Sequence, residues 1–156
     1  MTVEILTKER YARLQESLKM LEDERENILV RLQEARSLGD LSENAEYDAA
    51  RDEQGRNDVS LRETKRRLSQ AKVVDASEIS CDVVSDGNTI EVTERGKTIV
   101  YSLVNPIAGE EFERTISADG PLGKALVGHV VGDEVSFATP SGKVRKLTIK
   151  KISVAE

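Results

Sequence analysis

Apolar residues in the first half of the chain recur at alternating spacings of three and four. Tyr11, Leu14, Leu18, Leu21, Ile28, Leu32 and Ala35 keep that rhythm, and Arg25 is the one charged residue set into it. The pattern draws an apolar stripe down one face of a helix, the a/d seam of a heptad repeat. Thr7 is placed to cap the helix, and Glu9 falls in the first turn, where the helix dipole favours an acid. The rhythm stops at Ser37-Leu38-Gly39-Asp40, with Gly39 as the natural terminator. It resumes in Tyr47, Ala50, Gln54, Asn57, Leu61, Thr64, Leu68 and Ala71. No Pro interrupts either run. Only Gly55 sits inside the second, at about 1 kcal/mol against Ala. Two such runs with a short Gly-containing connection predict an antiparallel hairpin of helices over residues 1–75, with its tip at about 37–46. Arms of about 30 residues make a rod of roughly 45 Å. Its seam is Leu-rich at the base and small or polar near the tip (Ala35, Ala50, Gln54), which predicts a slim tip held less strongly than the base.

The second half changes period. Thr89–Glu94 and Lys97–Val104 alternate and are rich in β-branched residues, with Arg95-Gly96 between them, the pattern of a β-hairpin. Glu134–Thr139 and Val144–Ser153 flank Pro140-Ser141-Gly142 and predict a second. Gly120 to Val127 reads as a short helix with Pro121 near its start. The fold class is therefore α+β: a coiled-coil hairpin, then, over residues 81–156, a small β-sheet domain with a short helix. The boundary lies around Val73 to Ser80.

Composition narrows the function. Of 156 residues 38 % are hydrophobic and only 3 % aromatic, while 33 % are charged, which fits a long solvated helical element and a modest sheet better than one large core. The net charge of −6 is shared evenly by the two halves and excludes a generic polyanion binder. One cysteine, Cys81, excludes an internal disulfide and a Cys-based zinc site; one histidine, His129, argues against His-rich metal sites and nucleophile–histidine triads. Cys81 reads as a small, at least half-buried hydrophobe and His129 as a surface residue. The first residues lack the apolar core of a signal peptide, and no stretch approaches the roughly 20 apolar residues of a membrane span. The expectation is a soluble, cytoplasmic monomer whose seam is satisfied within its own hairpin.

The candidate chemistry sits at the hairpin turn. Asp40 and Glu43, three apart, suit two roles. As N-cap and N3 they resemble a capping box. As a carboxylate pair on an exposed turn they suit a hard divalent cation such as Mg²⁺, which is commonly held by one or two carboxylates, waters and substrate phosphates. Two carboxylates are only part of such a site, so a partner would supply the rest. Arg36 and Arg51 flank the turn, either as ordinary surface arginines or as a small basic patch for nucleic-acid phosphates.

The run Gly39-Asp40-Leu41-Ser42-Glu43-Asn44-Ala45-Glu46-Tyr47-Asp48-Ala49-Ala50-Arg51 closely resembles the tip signature of the bacterial Gre transcript-cleavage factors, nearer to the GreA type than to GreB. Ser117 to Leu126, Val131-Gly132-Asp133-Glu134-Val135 and Thr139-Pro140-Ser141-Gly142-Lys143 also resemble that family, so the likeness spans nearly the whole chain. The resemblance implies an FKBP-like C-terminal domain that docks on RNA polymerase, while the hairpin enters the secondary channel. It implies that Asp40 and Glu43 help to hold Mg²⁺ jointly with polymerase, so that the enzyme's own cleavage of a backtracked transcript is stimulated. It implies supporting tip roles for Asn44 and Tyr47, a basic patch of Arg36 and Arg51 near the RNA 3′ end, and polymerase contacts by Asp119 and Pro121. Gly120 stands where the family usually has Ser before Pro121, and Cys81 to Gly87 and Val104 to Glu110 depart from its usual pattern.

Four other readings compete with this one. A structural coiled coil would leave the long specific turn without a purpose. A channel-occupying regulator or inhibitor on the same scaffold would differ at the tip acids, which are intact here. A prolyl isomerase would want an aromatic proline pocket, yet the second half has only Tyr101, Phe112 and Phe137. A free-standing nuclease would need further clustered ligands.

Overall fold

The computed structural model describes residues 3–38, 44–107 and 114–155. The chain divides into two compact units, Met1–Glu4 with Tyr11–Ala71, and Ile5–Arg10 with Lys72–Glu156.

The helical unit is built on the predicted seam. Helix α1 runs Lys8–Ser37 and α2 runs Ala45–Gln70. Thr7 caps α1 as expected, its Oγ1 accepting from the Arg10 amide at 3.2 Å. The two helices are antiparallel, since partners descend one as they climb the other. The Asn44 amide reaches the Ala35 carbonyl, Ala50 packs with Ile28 and Leu32, and the Asn57 amide reaches the Leu21 carbonyl. Arg31 pairs with Glu53 across the hairpin. At the base Arg67 is buried and holds the Glu4 carboxylate with two nitrogens, at 3.0 and 2.6 Å. That pairing satisfies an arginine that burial would otherwise penalise. Arg25, the seam's charged exception, is exposed. The seam's least apolar stretch lies mid-rod rather than at the tip, where Ile28, Leu32, Ala35 and Ala50 are all buried. Alanine is small enough for the helices to close on it, so a small-residue seam need not be a loose one.

The second unit holds a five-stranded sheet. Its strands are β3 (Asn88–Glu94), β4 (Lys97–Leu103), β5 (Thr115–Ile116), β6 (Glu134–Ala138) and β7 (Val144–Val154), ordered β5-β4-β3-β7-β6. Both predicted hairpins form. Arg95 and Gly96 each adopt positive φ, 51° and 79°, the two-residue turn whose twist matches the flanking strands. A bulge shifts the β3–β7 register: Glu91 faces Lys151 and Val92 faces Ile149, leaving Lys150 over. The extra residue puts Ile149 and Ile152, three apart, on the same inner face, where both are buried. They join Val84, Ile90, Val92, Tyr101, Leu103, Leu126, Val135 and Leu147 in one core, against which Cys81 packs half-buried, as expected. Leu126 belongs to the short helix α3 (Pro121–Leu126), with Pro at its start as the sequence predicts.

Two features were not predicted. Ile5–Thr7 (β1) and Lys72–Val74 (β2) form a small parallel ladder. Asn88, wholly buried, donates to the Ser80 and Ser153 carbonyls at 3.0 and 3.1 Å and accepts from the Ser85 amide at 2.8 Å. It thereby satisfies backbone groups that the sheet cannot reach.

Candidate functional site

The turn of the hairpin is bounded by two helix ends, each with backbone groups that need partners. Asn44 serves both. Its Oδ1 accepts from the Tyr47 amide at 3.1 Å, which makes it the N-cap of α2. Its Nδ2 donates to the Ala35 carbonyl, in the last turn of α1, at 2.7 Å. One side chain thus ties the two ends of the turn together. The N-cap role proposed for Asp40 is corrected: α2 starts at Ala45 and its cap is Asn44. The usable signal was Asn44 followed by Glu46 and Asp48, a cap residue ahead of a first turn that carries acids. The resemblance to a capping box at Asp40 and Glu43 obscured it.

Tyr47 packs half-buried against Ile28, Leu32 and Ala50. The Arg36 guanidinium lies over its ring, 5.9 Å from the centroid, within range for a cation–π contact. Arg36 is thereby held at the rim of the turn, while Leu38 beside it is 70 % exposed. Arg51 is exposed on α2 and donates to Gln54 at 2.9 Å. The structure therefore brings Arg36, Asn44 and Tyr47 together and turns Arg51 along its own helix. Asp40 and Glu43 lie outside the described residues. Among the described residues no group of three or more His, Cys, Asp or Glu is placed to hold a metal ion.

In the sheet unit, Asp119 and Pro121 lie on an exposed turn that leads into α3. The Ser117 hydroxyl accepts from the Asp119 amide at 3.2 Å, and the Ser117 carbonyl from the Gly120 amide at 3.1 Å. Gly123 packs so closely beneath this turn that a Cβ there would stand 1.9 Å from the Ser117 oxygen. His129, partly exposed, holds Asp133 at 3.0 Å. The Asp133 carboxyl also accepts from the Val130 amide, and these two bonds, the backbone one first, hold it below its ordinary pKa.

Comparison with known proteins gives these features a context. Residues 4–73 match the family model for the transcription elongation factor N-terminal domain, and residues 79–154 match the GreA/GreB C-terminal domain. A transcription elongation factor GreA of Novosphingobium aromaticivorans is 38 % identical over 135 residues, 86 % of this chain and 85 % of that one. One from Pelobacter propionicus is 41 % identical over 140 residues, covering 88 % and 89 %. One from Chlorobium phaeovibrioides is 35 % identical over 153 residues and covers 96 % of each chain. Among solved structures, the transcription factor Gfh1 superposes with a TM-score of 0.50 at 28 % identity, over 97 % of both chains. Among the described residues no helix is long and apolar enough to cross a membrane.

Proposed function

The chain belongs to the GreA/GreB family of transcription elongation factors, and from that premise we propose that it stimulates the cleavage of backtracked RNA by bacterial RNA polymerase. The observation that carries this reading is the Gly39–Arg51 tip signature, which follows α1 and runs on into the first two turns of α2. In this reading the chain is not itself an enzyme. It acts as a cytoplasmic monomer that reaches the nascent RNA 3′ end through the polymerase secondary channel.

The roles follow from the residue types. Asp40 and Glu43 offer carboxylate oxygens, the donors that a hard cation such as Mg²⁺ prefers. Two carboxylates are too few for a closed site, so the remaining ligands come from polymerase and the RNA phosphate. The chemistry that a bound Mg²⁺ supplies there is polarisation of the phosphodiester and a lowered pKa for the attacking water. Asn44 ties the end of α1 to the start of α2, and fixing the two ends in advance lowers the entropy cost of bringing Asp40 and Glu43 to the reacting groups. Arg36, steadied on Tyr47, and Arg51 offer guanidinium groups to the RNA phosphates. Asp119 and Pro121, on the turn braced by Gly123, serve as polymerase contacts.

The test is transcript cleavage in a stalled, backtracked bacterial elongation complex. Wild type should cleave. Asp40→Asn and Glu43→Gln should bind polymerase yet lose most of the stimulation, with a steeper Mg²⁺ requirement. A wild type that binds without cleaving makes the chain a channel-occupying regulator on the same scaffold. Cleavage of free RNA without polymerase overturns the shared-site reading altogether.

A further inference from the structure

The middle of the helical hairpin lacks the apolar seam that holds its two ends. On α1, Leu14, Ile28, Leu32 and Ala35 are buried, but every residue from Glu22 to Asn27 is exposed. A helix packed along its length carries three to four apolar core-facing residues in each two turns, yet between half-buried Leu21 and buried Ile28 no residue of α1 is covered. Arg25 occupies the seam position in this run and points to solvent. On α2 the facing seam residues are Gln54, half-buried, and Asn57, 4 % exposed.

Asn57 bonds through one of its two polar side-chain atoms. Its Nδ2 donates to the Leu21 carbonyl at 3.1 Å, while among the described residues its buried Oδ1 has no hydrogen-bond partner. A buried acceptor left unpaired penalises the closed state, and a side chain bonded to a helical carbonyl is a known cause of bending. Gly55 lies between Gln54 and Asn57, two residues before the latter. A Cβ there would meet nothing within 4 Å, so no packing demand accounts for a residue that weakens a helix. Glu22 and Glu26, one turn apart on α1, are like charges at the spacing where they repel.

We propose that Glu22–Asn27 and Gln54–Asn57 form a hinge, about which the tip segment (Ile28–Ser37 with Ala45–Glu53) bends and opens separately from the base of the hairpin. The tip segment is equipped to move as a body. It has its own apolar cluster of Ile28, Leu32, Ala50 and Tyr47, the Arg31–Glu53 pair and the Asn44 tie. The hinge does not depend on the cleavage reading. On that reading it lets the acid-bearing turn adjust its approach while the base stays fixed.

Amide hydrogen exchange on the full chain tests this. In wild type, amides of Ile28–Ala35 and Ala50–Glu53 should be protected at least tenfold less than those of Leu14–Leu18 and Leu61–Thr64. Filling the seam with Gln54→Leu and Asn57→Leu should shrink that ratio at least tenfold. Gly55→Ala, which has open space for its methyl group, should raise tip protection about fivefold and leave the base unchanged. Spin labels at the exposed Lys19 and Glu34 positions, with Cys81→Ala to remove the native thiol, should give a broad distance distribution that narrows in the filled variant. Equal protection on the two sides in wild type overturns the hinge, as does a ratio unmoved by the filled seam. Should the filled variant fail to fold, the wild-type ratio and Gly55→Ala decide the matter.

Discussion

Asn44→Ala should be the most costly single change at the hairpin turn that leaves its charge untouched. The side chain does two jobs, and each has a magnitude. Losing an N-cap costs about 1 kcal/mol, within a range of about 0.5–2. Losing the donation to the Ala35 carbonyl, a partly buried bond of 2.7 Å, costs about 1 kcal/mol more. Together they amount to about 2 kcal/mol, a factor of roughly 30 in the opening equilibrium of the turn. Asn44→Ser separates the two. Its hydroxyl can still accept from the Tyr47 amide but cannot span to Ala35, so it should cost about 1 kcal/mol. The assay is hydrogen exchange at the Ala49, Ala50 and Arg51 amides, with urea unfolding followed at 222 nm for the whole helical unit. Exchange should quicken by about 30-fold in Asn44→Ala and about fivefold in Asn44→Ser. If Asn44→Ala shifts these amides by less than twofold, Asn44 is not a tie. If Ser and Ala behave alike, only the cap matters and the reach to α1 is incidental.

Other expectations concern the sheet unit. Gly123→Ala should lower stability by about 2 kcal/mol or more, because the new methyl meets the Ser117 backbone rather than a yielding side chain; thermal unfolding reads the loss, and NMR shifts at Asp119 and Leu122 should report a displaced turn. Asn88→Ala strands the Ser80 and Ser153 carbonyls and the Ser85 amide and should cost about 3 kcal/mol in urea unfolding; a loss below 1 kcal/mol would mean that those groups find other partners. Glu94 should make stability depend on pH. The Arg145 guanidinium beside it holds its carboxyl below the ordinary value of 4.5. A depressed folded-state pKa gives stability that is present above 4.5 and lost as the pH falls towards the folded value. The urea midpoint of wild type should therefore drop between pH 5 and pH 3 by more than that of Glu94→Gln; equal slopes would show that the pair contributes nothing.

The parts of the fold that were legible are those in which period and turn chemistry agree. The three-four spacing of Leu14, Leu18, Ile28 and Leu32 specifies a helix. The alternation around Arg95-Gly96 specifies a hairpin, because Gly readily takes the second positive φ. What escaped depends on contacts distant in sequence. The β1–β2 ladder joins Ile5–Thr7 to Lys72–Val74, segments too short to show a period. The Lys150 bulge reads as a lapse in alternation until Val92 and Ile149 are seen facing each other. Asn88 looks like any polar residue at a strand start, since its value lies in three backbone groups from other segments. At the turn, local pattern favoured Asp40 as the cap, yet the cap is Asn44. Oxygen acceptors crowd this stretch, and only Asn44 also carries an amide that can reach across to Ala35. Residue type and likeness to a family mark the tip acids Asp40 and Glu43, which lie outside the described residues.

The chain's donor set has a consequence for how such a factor acts. A protein with a complete metal site on an exposed turn would attack any RNA that it met. Two carboxylates hold Mg²⁺ weakly, because that ion surrenders its waters reluctantly and asks for six well-placed oxygens. On the cleavage reading, the site becomes complete only where polymerase and a displaced RNA 3′ end supply the missing ligands. Selectivity for arrested complexes then follows from incompleteness, with no recognition of RNA sequence required. The same logic sets the demand on Asn44. A weak pair contributes to catalysis only if it arrives already spaced, so most of the entropy of ordering the turn must be met before the encounter. Asn44→Ala should accordingly lower the apparent Mg²⁺ affinity of cleavage while leaving the rate at saturating Mg²⁺ within a few-fold of wild type. Asp40→Asn should lower both. A loss in Asn44→Ala that excess Mg²⁺ fails to restore would mean that Asn44 touches the reacting groups, and the division between holding the turn and holding the metal would have to be redrawn.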